Sequence, residues 1–185
     1  MPRSKGLLFW PLVIVIVVAD RVSKAIAEQT LWPRNVPRDV FGDWFRWTLV
    51  YNPGAAFGLH LGPYSRWIFL SLTIGALIIL FRLYGATTDN DRWRTLALGL
   101  VTAGACGNLI DRIISPQGVV DFIDVGVSDS RWPTFNVADM AVSTGAFLLA
   151  WVMWGEDKAA EKRATAASAA GEERAAVVQE SGAGR

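Results

Sequence analysis

Apolar and polar residues are sharply segregated along this chain. Leu7 to Ala19 form an almost unbroken apolar run, and a helical reading extends it through Asp20, Arg21, Ser23 and Lys24 to about Ala27. Three more apolar stretches follow, at 65–83, 93–114 and 135–155. Each is near the roughly 20 residues that cross a hydrocarbon core about 30 Å thick. None shows the polar face of a surface helix, and Trp or Tyr residues mark several ends, as at a membrane interface. The pattern predicts four transmembrane helices rather than a soluble bundle. A cleavable signal peptide is the competing reading of the first run, with Arg3 and Lys5 ahead of it. The run ends in Asp-Arg-Val-Ser-Lys, however, where a small-x-small site would be needed.

The segments between these helices differ in character. Residues 28–63 are too many for a simple connection. Within them Asp43 to Tyr51 is rich in aromatic and β-branched residues and predicts a strand, and the breaker-rich Asn52-Pro-Gly-Ala-Ala-Phe-Gly58 follows. A small extended structure lying on the membrane surface is expected there. Residues 115–134 open on the turn signal Ser-Pro-Gln-Gly and carry Asp121, Asp124 and Asp129, with Asp121 expected in a loop. Residues 1–157 thus form the membrane domain. Residues 158–185 read as a solvated helix or disordered tail without chemistry.

Composition narrows the choice. The 185 residues are 52% hydrophobic, yet hold 18 Lys and Arg against 17 Asp and Glu, a net charge of +1. That balance offers no basic field for nucleic acid, which is excluded as a partner. A single Cys106 and a single His60 leave no disulfide, no zinc set and no Cys-His catalysis. Ten Lys and Arg lie in the N-terminal tail, the 82–94 loop and the C-terminal tail, against five in the two opposite segments, so both termini are expected to be cytoplasmic.

Against this apolar background some polar residues stand out. Asp20 and Lys24, at i and i+4, suit a local ion pair. Asn108, Asp111 and Arg112 share one face of the third helix near its outer end, and Gly104 and Gly107 before them would admit another helix closely. Asn136 and Asp139 stand one turn inside the outer end of the fourth. A charge within a span costs roughly 2.5–3.5 kcal/mol, so such groups face protein or a watery cavity. A polar clasp, in which Arg112 neutralises Asp111, is one reading. The other is carboxylate chemistry, in which two close aspartates share a proton and hydrolyse an amide without a metal. Asp111, Asp121, Asp124, Asp129 and Asp139 are all candidates, and spacing does not choose among them.

Five blocks, in order, resemble the bacterial lipoprotein signal peptidases (signal peptidase II). They are Asp20-Arg with Ser-Lys24, Asn52 to Gly58, Gly107-Asn-Leu-Ile-Asp-Arg112, Val119-Val-Asp-Phe-Ile-Asp124 and Phe135-Asn-Val-Ala-Asp139. The resemblance implies an all-α membrane protein of four transmembrane helices with a small extracytoplasmic β-rich cradle. It implies an aspartic endopeptidase of the cytoplasmic (inner) membrane that cuts diacylglyceryl-modified prolipoproteins before the lipid-bearing cysteine. Asp121 and Asp139 would be its catalytic pair near the extracytoplasmic face, supported by Asp20, Asn52, Asn108, Asp111, Arg112 and Asn136. No metal or cofactor is implied. The partners would be the prolipoprotein and membrane lipids, with the protein acting as a monomer. A small transporter or channel subunit using the same carboxylates, or a noncatalytic anchoring protein, are the alternatives from other classes.

Overall fold

The computed structural model describes residues 4–54 and 62–183. Arg3, Arg185, His60 and the Ala55–Gly58 part of the Asn52–Gly58 block lie outside the described residues. Four helices are long and apolar enough to span a membrane: α1 (Gly6–Thr30), α2 (Ser65–Ala86), α3 (Arg92–Ile114) and the first part of α4, Val137–Ala159. As a whole α4 runs Val137–Ala183, and Leu149–Arg185 forms a unit of its own, helical to Ala183. The remaining elements are β1 (Arg38–Phe41), β2 (Phe45–Asn52), β3 (Val119–Val127) and β4 (Ser130–Arg131). The four spans stand where the apolar pattern put them.

Burial separates α3 from the other spans. Half of its most apolar window is buried, against 17% in α1, 11% in α2 and 17% in α4. The outward faces of those three carry exposed Leu7, Ile14, Val15, Leu72, Ile78 and Phe147, which water would not tolerate in such density and lipid would. α3 is the central post because its small residues let neighbours approach. A Cβ added at Gly99 would stand 3.0 Å from Leu12 of α1, and one at Gly104 would stand 2.2 Å from the Ala138 carbonyl oxygen at the start of α4. At Gly107 the intruded atom would be a carboxylate oxygen of Asp20, 2.6 Å away. The glycine pair singled out by sequence thus seats α4 and a buried charge side by side.

α2 touches the rest mainly through α3 and through its two ends. At its start Arg66 donates to the carbonyls of Arg112 (2.6 Å) and Ile113 (2.8 Å), satisfying the open C-terminus of α3. At its own C-terminus the Lys5 ammonium donates to the carbonyls of Tyr84 (2.8 Å), Gly85 (3.2 Å) and Thr87, and Phe9 stacks on Tyr84 with ring centroids 4.0 Å apart.

The strands form one antiparallel sheet in the order β1-β2-β3-β4. The aromatic run folds as expected into β2. The 115–134 segment departs from expectation: Asp121 lies on β3, opposite Val50 of β2, and not in a loop. Val119 to Asp124 are all buried, so the strand shows no in-out alternation, and its two aspartates break up the β-branched run that would have revealed it. The sheet closes over Ala27 and Leu31 of α1 through Leu49, Val120, Phe122 and Ile123. Gly118 has φ +105, in the left-handed region, and a Cβ there would come within 2.3 Å of the Asn52 carbonyl. This turn is what sets Asn52 beside the start of β3.

Gly104→Ala should lower the thermal midpoint of the detergent-solubilised protein, since its Cβ meets backbone that cannot rotate away; overpacking of this kind costs about 1–3 kcal/mol. Gly75→Ala, at a helical position with nothing within 4 Å, should leave the midpoint unchanged or raise it.

Candidate active site

The start of α4 organises the site. Asn136 precedes the first helical residue, and its Oδ1 accepts the Asp139 N–H at 2.9 Å while Asp139 Oδ2 accepts the Asn136 N–H at 3.1 Å. This is a reciprocal capping box built from Asn and Asp at the spacing where Ser and Glu are usual. The Ala138 N–H, another donor the helix cannot satisfy, goes to Asp20 Oδ1 of α1 at 2.9 Å. Sequence-local rules for starting a helix therefore fix the position of Asp139.

Asp121 approaches from the sheet. Its Oδ1 accepts from Asn136 Nδ2 at 2.7 Å and its Oδ2 from Asn52 Nδ2 at 3.1 Å, while Asn52 Oδ1 accepts the Gly54 N–H at 3.0 Å in a local turn. The Asn136 amide also donates to the Val120 carbonyl and to Asn108 Oδ1. Asn108 Nδ2 in turn donates to Asp139 Oδ1 at 2.7 Å. Asn136 thus bridges Asp121 and Asp139, and both line a cavity of about 330 Å³ with Asn52, Asn108 and Arg112. Burial pushes the Asp121 carboxyl up to about 7, with the Asp139 charge adding to the rise and the donors Asn52 and Asn136 opposing it.

Beneath the cavity lies a buried charge cluster. The Lys24 ammonium, with no exposure, forms ion pairs with Asp20 Oδ2 (2.8 Å) and Asp111 Oδ2 (2.8 Å) and donates to Asn108 Oδ1 (3.0 Å). Asp111 also pairs with Arg21 and accepts the Val120 N–H at 3.2 Å. This corrects the expected clasp: Asp111 is neutralised by Lys24 and Arg21 of α1. Arg112 donates to the Asn108 carbonyl of its own helix at 3.1 Å and faces the cavity within the field of Asp139 and Asp121. The Asp20–Lys24 pair forms as expected, and Asp111 joins it.

The five candidate aspartates therefore part company. Asp124 is held by Thr48 (2.8 Å) and Arg131 (2.6 Å) as a brace within the sheet, and Asp129 sits exposed in the turn between β3 and β4. Asp111 is buried in ion pairs. Asp121 and Asp139 remain, on one cavity and joined by one amide. Sequence reasoning left Lys24 and Arg21 out of the site. Their signal was a lysine and an arginine within an apolar span, carrying more charge than Asp20 alone could balance.

A four-span bundle with two aspartates at a cavity near one end defines a membrane-embedded enzyme of the aspartic type. Residues 12–155 match the family described as Signal peptidase (SPase) II, and the chain belongs to that family. It is 40% identical over 171 residues to the lipoprotein signal peptidase of Ectopseudomonas mendocina (strain ymp), spanning 89% of this chain and 99% of the relative. It is 38% identical over 153 residues to that of Mycobacterium tuberculosis (strain ATCC 25618 / H37Rv), spanning 80% of this chain and 71% of the relative. A solved bacterial membrane enzyme superposes with a TM-score of 0.67 at 30% identity, covering 79% of this chain and 87% of that one.

Asp111→Asn removes a carboxylate from between two cations in a buried cluster. Breaking such a pair costs about 3–5 kcal/mol, so the variant should lose folded protein in detergent, seen as a lower thermal midpoint and lower yield. Retention of wild-type stability would show that the cluster is not holding α1 to α3.

Proposed function

We propose that this protein removes the signal peptide from diacylglyceryl-modified prolipoproteins, cutting on the N-terminal side of the lipidated cysteine, and that Asp121 and Asp139 carry the reaction. The observation behind this is the Asn136 bridge, which holds two carboxyl groups from different elements on one cavity in a signal peptidase II chain. Two carboxyls sharing one proton are suited to adding water to an amide. The ionised member takes a proton from water as it attacks, and the protonated member donates a hydrogen bond to the scissile carbonyl.

Asp121 suits the protonated role. It is buried, and its carboxyl titrates near 7 where an ordinary aspartate titrates at 3.8. Asp139 suits the base, with the donor Asn108 on one oxygen and the positive end of α4 at its back. Once the carbonyl carbon is tetrahedral, return of the proton to the leaving nitrogen completes the cut. Arg112 supplies the cation on the cavity wall, and Asn52, Asn108 and Asn136 hold the carboxyls. Asp20 and Asp111 support from below.

The site lies at the end of the bundle that carries the sheet, opposite the 82–94 loop. With the excess of Lys and Arg on the loop side, this favours a multi-pass protein of the cytoplasmic (inner) membrane, both termini cytoplasmic and the cavity near the extracytoplasmic face. A signal peptide's apolar part could then stay among the helices while its end reaches the aspartates, with bilayer lipid around the acyl chains. The protein is taken to act as a monomer. A transporter would need polar groups along the bundle, whereas in this chain they gather at one end.

Asp121→Asn and Asp139→Asn should each slow conversion of a diacylglyceryl-modified prolipoprotein at least 100-fold, the scale of losing a general acid or base, with folded protein retained; near-wild-type processing by either would unseat the pair. The pH dependence has a fixed sign. An Asp121 that must hold its proton, and titrates near 7, gives activity that falls as pH rises through about 7. The same raised carboxyl makes folding stability greatest below the ordinary 3.8 and lower as pH climbs to about 7. Asp121→Asn should flatten that slope in thermal unfolding between these limits.

A further inference from the structure

We propose that Lys24 is a positioning residue for the aspartate pair, acting through the amide of Asn108. The proposal rests on the reading of Asp121 and Asp139 as the reacting carboxyls and adds to it a residue that touches neither. An asparagine amide has two faces that differ only in which atom is oxygen, and its neighbours decide the orientation. In this site the decision is made by a group with no alternative. The Lys24 ammonium can only donate, it is wholly buried, and the atom it meets on Asn108 at 3.0 Å must therefore be Oδ1. Asn136 Nδ2 approaches the same oxygen at 3.1 Å. With Oδ1 committed, the NH₂ group points the other way, to Asp139 Oδ1 at 2.7 Å.

The orientation then propagates. Asn136 can send one hydrogen to Asn108 Oδ1 because that atom is oxygen, and its amide donates also to Asp121 Oδ1 at 2.7 Å. A single ammonium thus sets the amide that faces Asp139 and favours the one that faces Asp121. Turned over, Asn108 would set its NH₂ against both the ammonium and the Asn136 NH₂, and would offer an acceptor to a carboxylate.

The charged groups around this relay are few. Lys24 is met by Asp20 from its own helix and by Asp111 from α3, the latter shared with Arg21 of α1. Asp139 is faced by Arg112 of α3 and by Asp121 of β3. None of these cations donates to Asn108 Oδ1 in place of Lys24. A purely structural lysine would need only its ion pairs with Asp20 and Asp111; the hydrogen bond to Asn108 is what connects the ion-pair cluster to the cavity.

Lys24→Met alone would strand the buried Asp20 carboxylate, so the test uses Lys24→Met together with Asp20→Asn. The pair removes one charge of each sign. Asp111 keeps Arg21, and an asparagine at 20 still has an oxygen for the Ala138 N–H. The reference is Asp20→Asn alone, and the substrate is a synthetic diacylglyceryl lipopeptide in detergent. The double variant should fold, keep KM within about twofold, and lose about 10- to 100-fold in kcat, the scale of a hydrogen bond to a charged group.

A double-mutant cycle gives the second readout. In an Asn108→Ala background, the same Lys24 change should have less than about a twofold further effect on kcat. Loss of fold in the charge-balanced variant, an unchanged kcat, or equal effects with and without Asn108 would each overturn the proposal and leave Lys24 as packing. Activity surviving in Asp121→Asn or Asp139→Asn would instead sink the pair itself. Inactive aspartate variants beside an unchanged kcat in the Lys24 variant remove only the positioning role of Lys24.

Discussion

One side chain joins the helical and sheet parts of this molecule. Asn136 is fully buried, and its polar atoms reach two other elements and its own helix: Asn108 on α3, the Val120 carbonyl and Asp121 on β3, and the Asp139 N–H of α4. A buried amide left unsatisfied is expensive, and one with all its partners in place is a strong orienting constraint. The sheet cannot slide along α4, nor can α4 rotate, without opening several of these bonds together. The angle between the two carboxyl-bearing elements is therefore set by ordinary rules for starting a helix, reused where a cavity needs two acids.

Charge neutrality supplies a second constraint. The sheet-bearing end of the bundle holds four carboxyls, Asp20, Asp111, Asp121 and Asp139, and three bases, Arg21, Lys24 and Arg112. Four acids and three bases balance only when one proton is retained. In a low-dielectric setting an uncompensated charge is far more costly than in water, so the cluster favours the singly protonated state of its acids. The ion pairs below are closed among themselves: Asp20 and Asp111 against Arg21 and Lys24. That leaves the proton to the cavity, where Asp121, Asp139 and Arg112 remain. The cluster that looks structural thereby bears on the charge state of the cavity carboxyls.

Much of this was legible in the sequence, for reasons that differ by residue. The spans were visible because lipid imposes apolar length, and Gly104 and Gly107 because close helix approach admits little else. The run to Tyr51 announced a strand through its aromatics. By contrast, β3 was hidden: it is buried throughout, so it lacks alternation, and Asp121 and Asp124 drew attention as chemistry. Adjacency in sequence suggests pairing Arg112 with Asp111, yet successive helical residues point about 100° apart, and the Arg21 partner of Asp111 lies 90 positions away on another helix. The third contact of Lys24 had no sequence signal, since only the packing of α1 on α3 brings Asn108 to it.

The attachment of α2 has a mechanical consequence. This helix is the least buried of the four, fastened at one end by Arg66 on the α3 carbonyls and at the other by Lys5 and the Phe9–Tyr84 stack. Clamped at both ends and packed against α3, it cannot tilt as a rigid rod without opening these bonds. Most helices relieve a bilayer of unsuitable thickness by tilting. In this one the load passes to the two clamps, and through Arg66 it reaches the last turn of α3, which carries Asp111 and Arg112. Bilayer thickness is thus coupled elastically to the floor of the cavity.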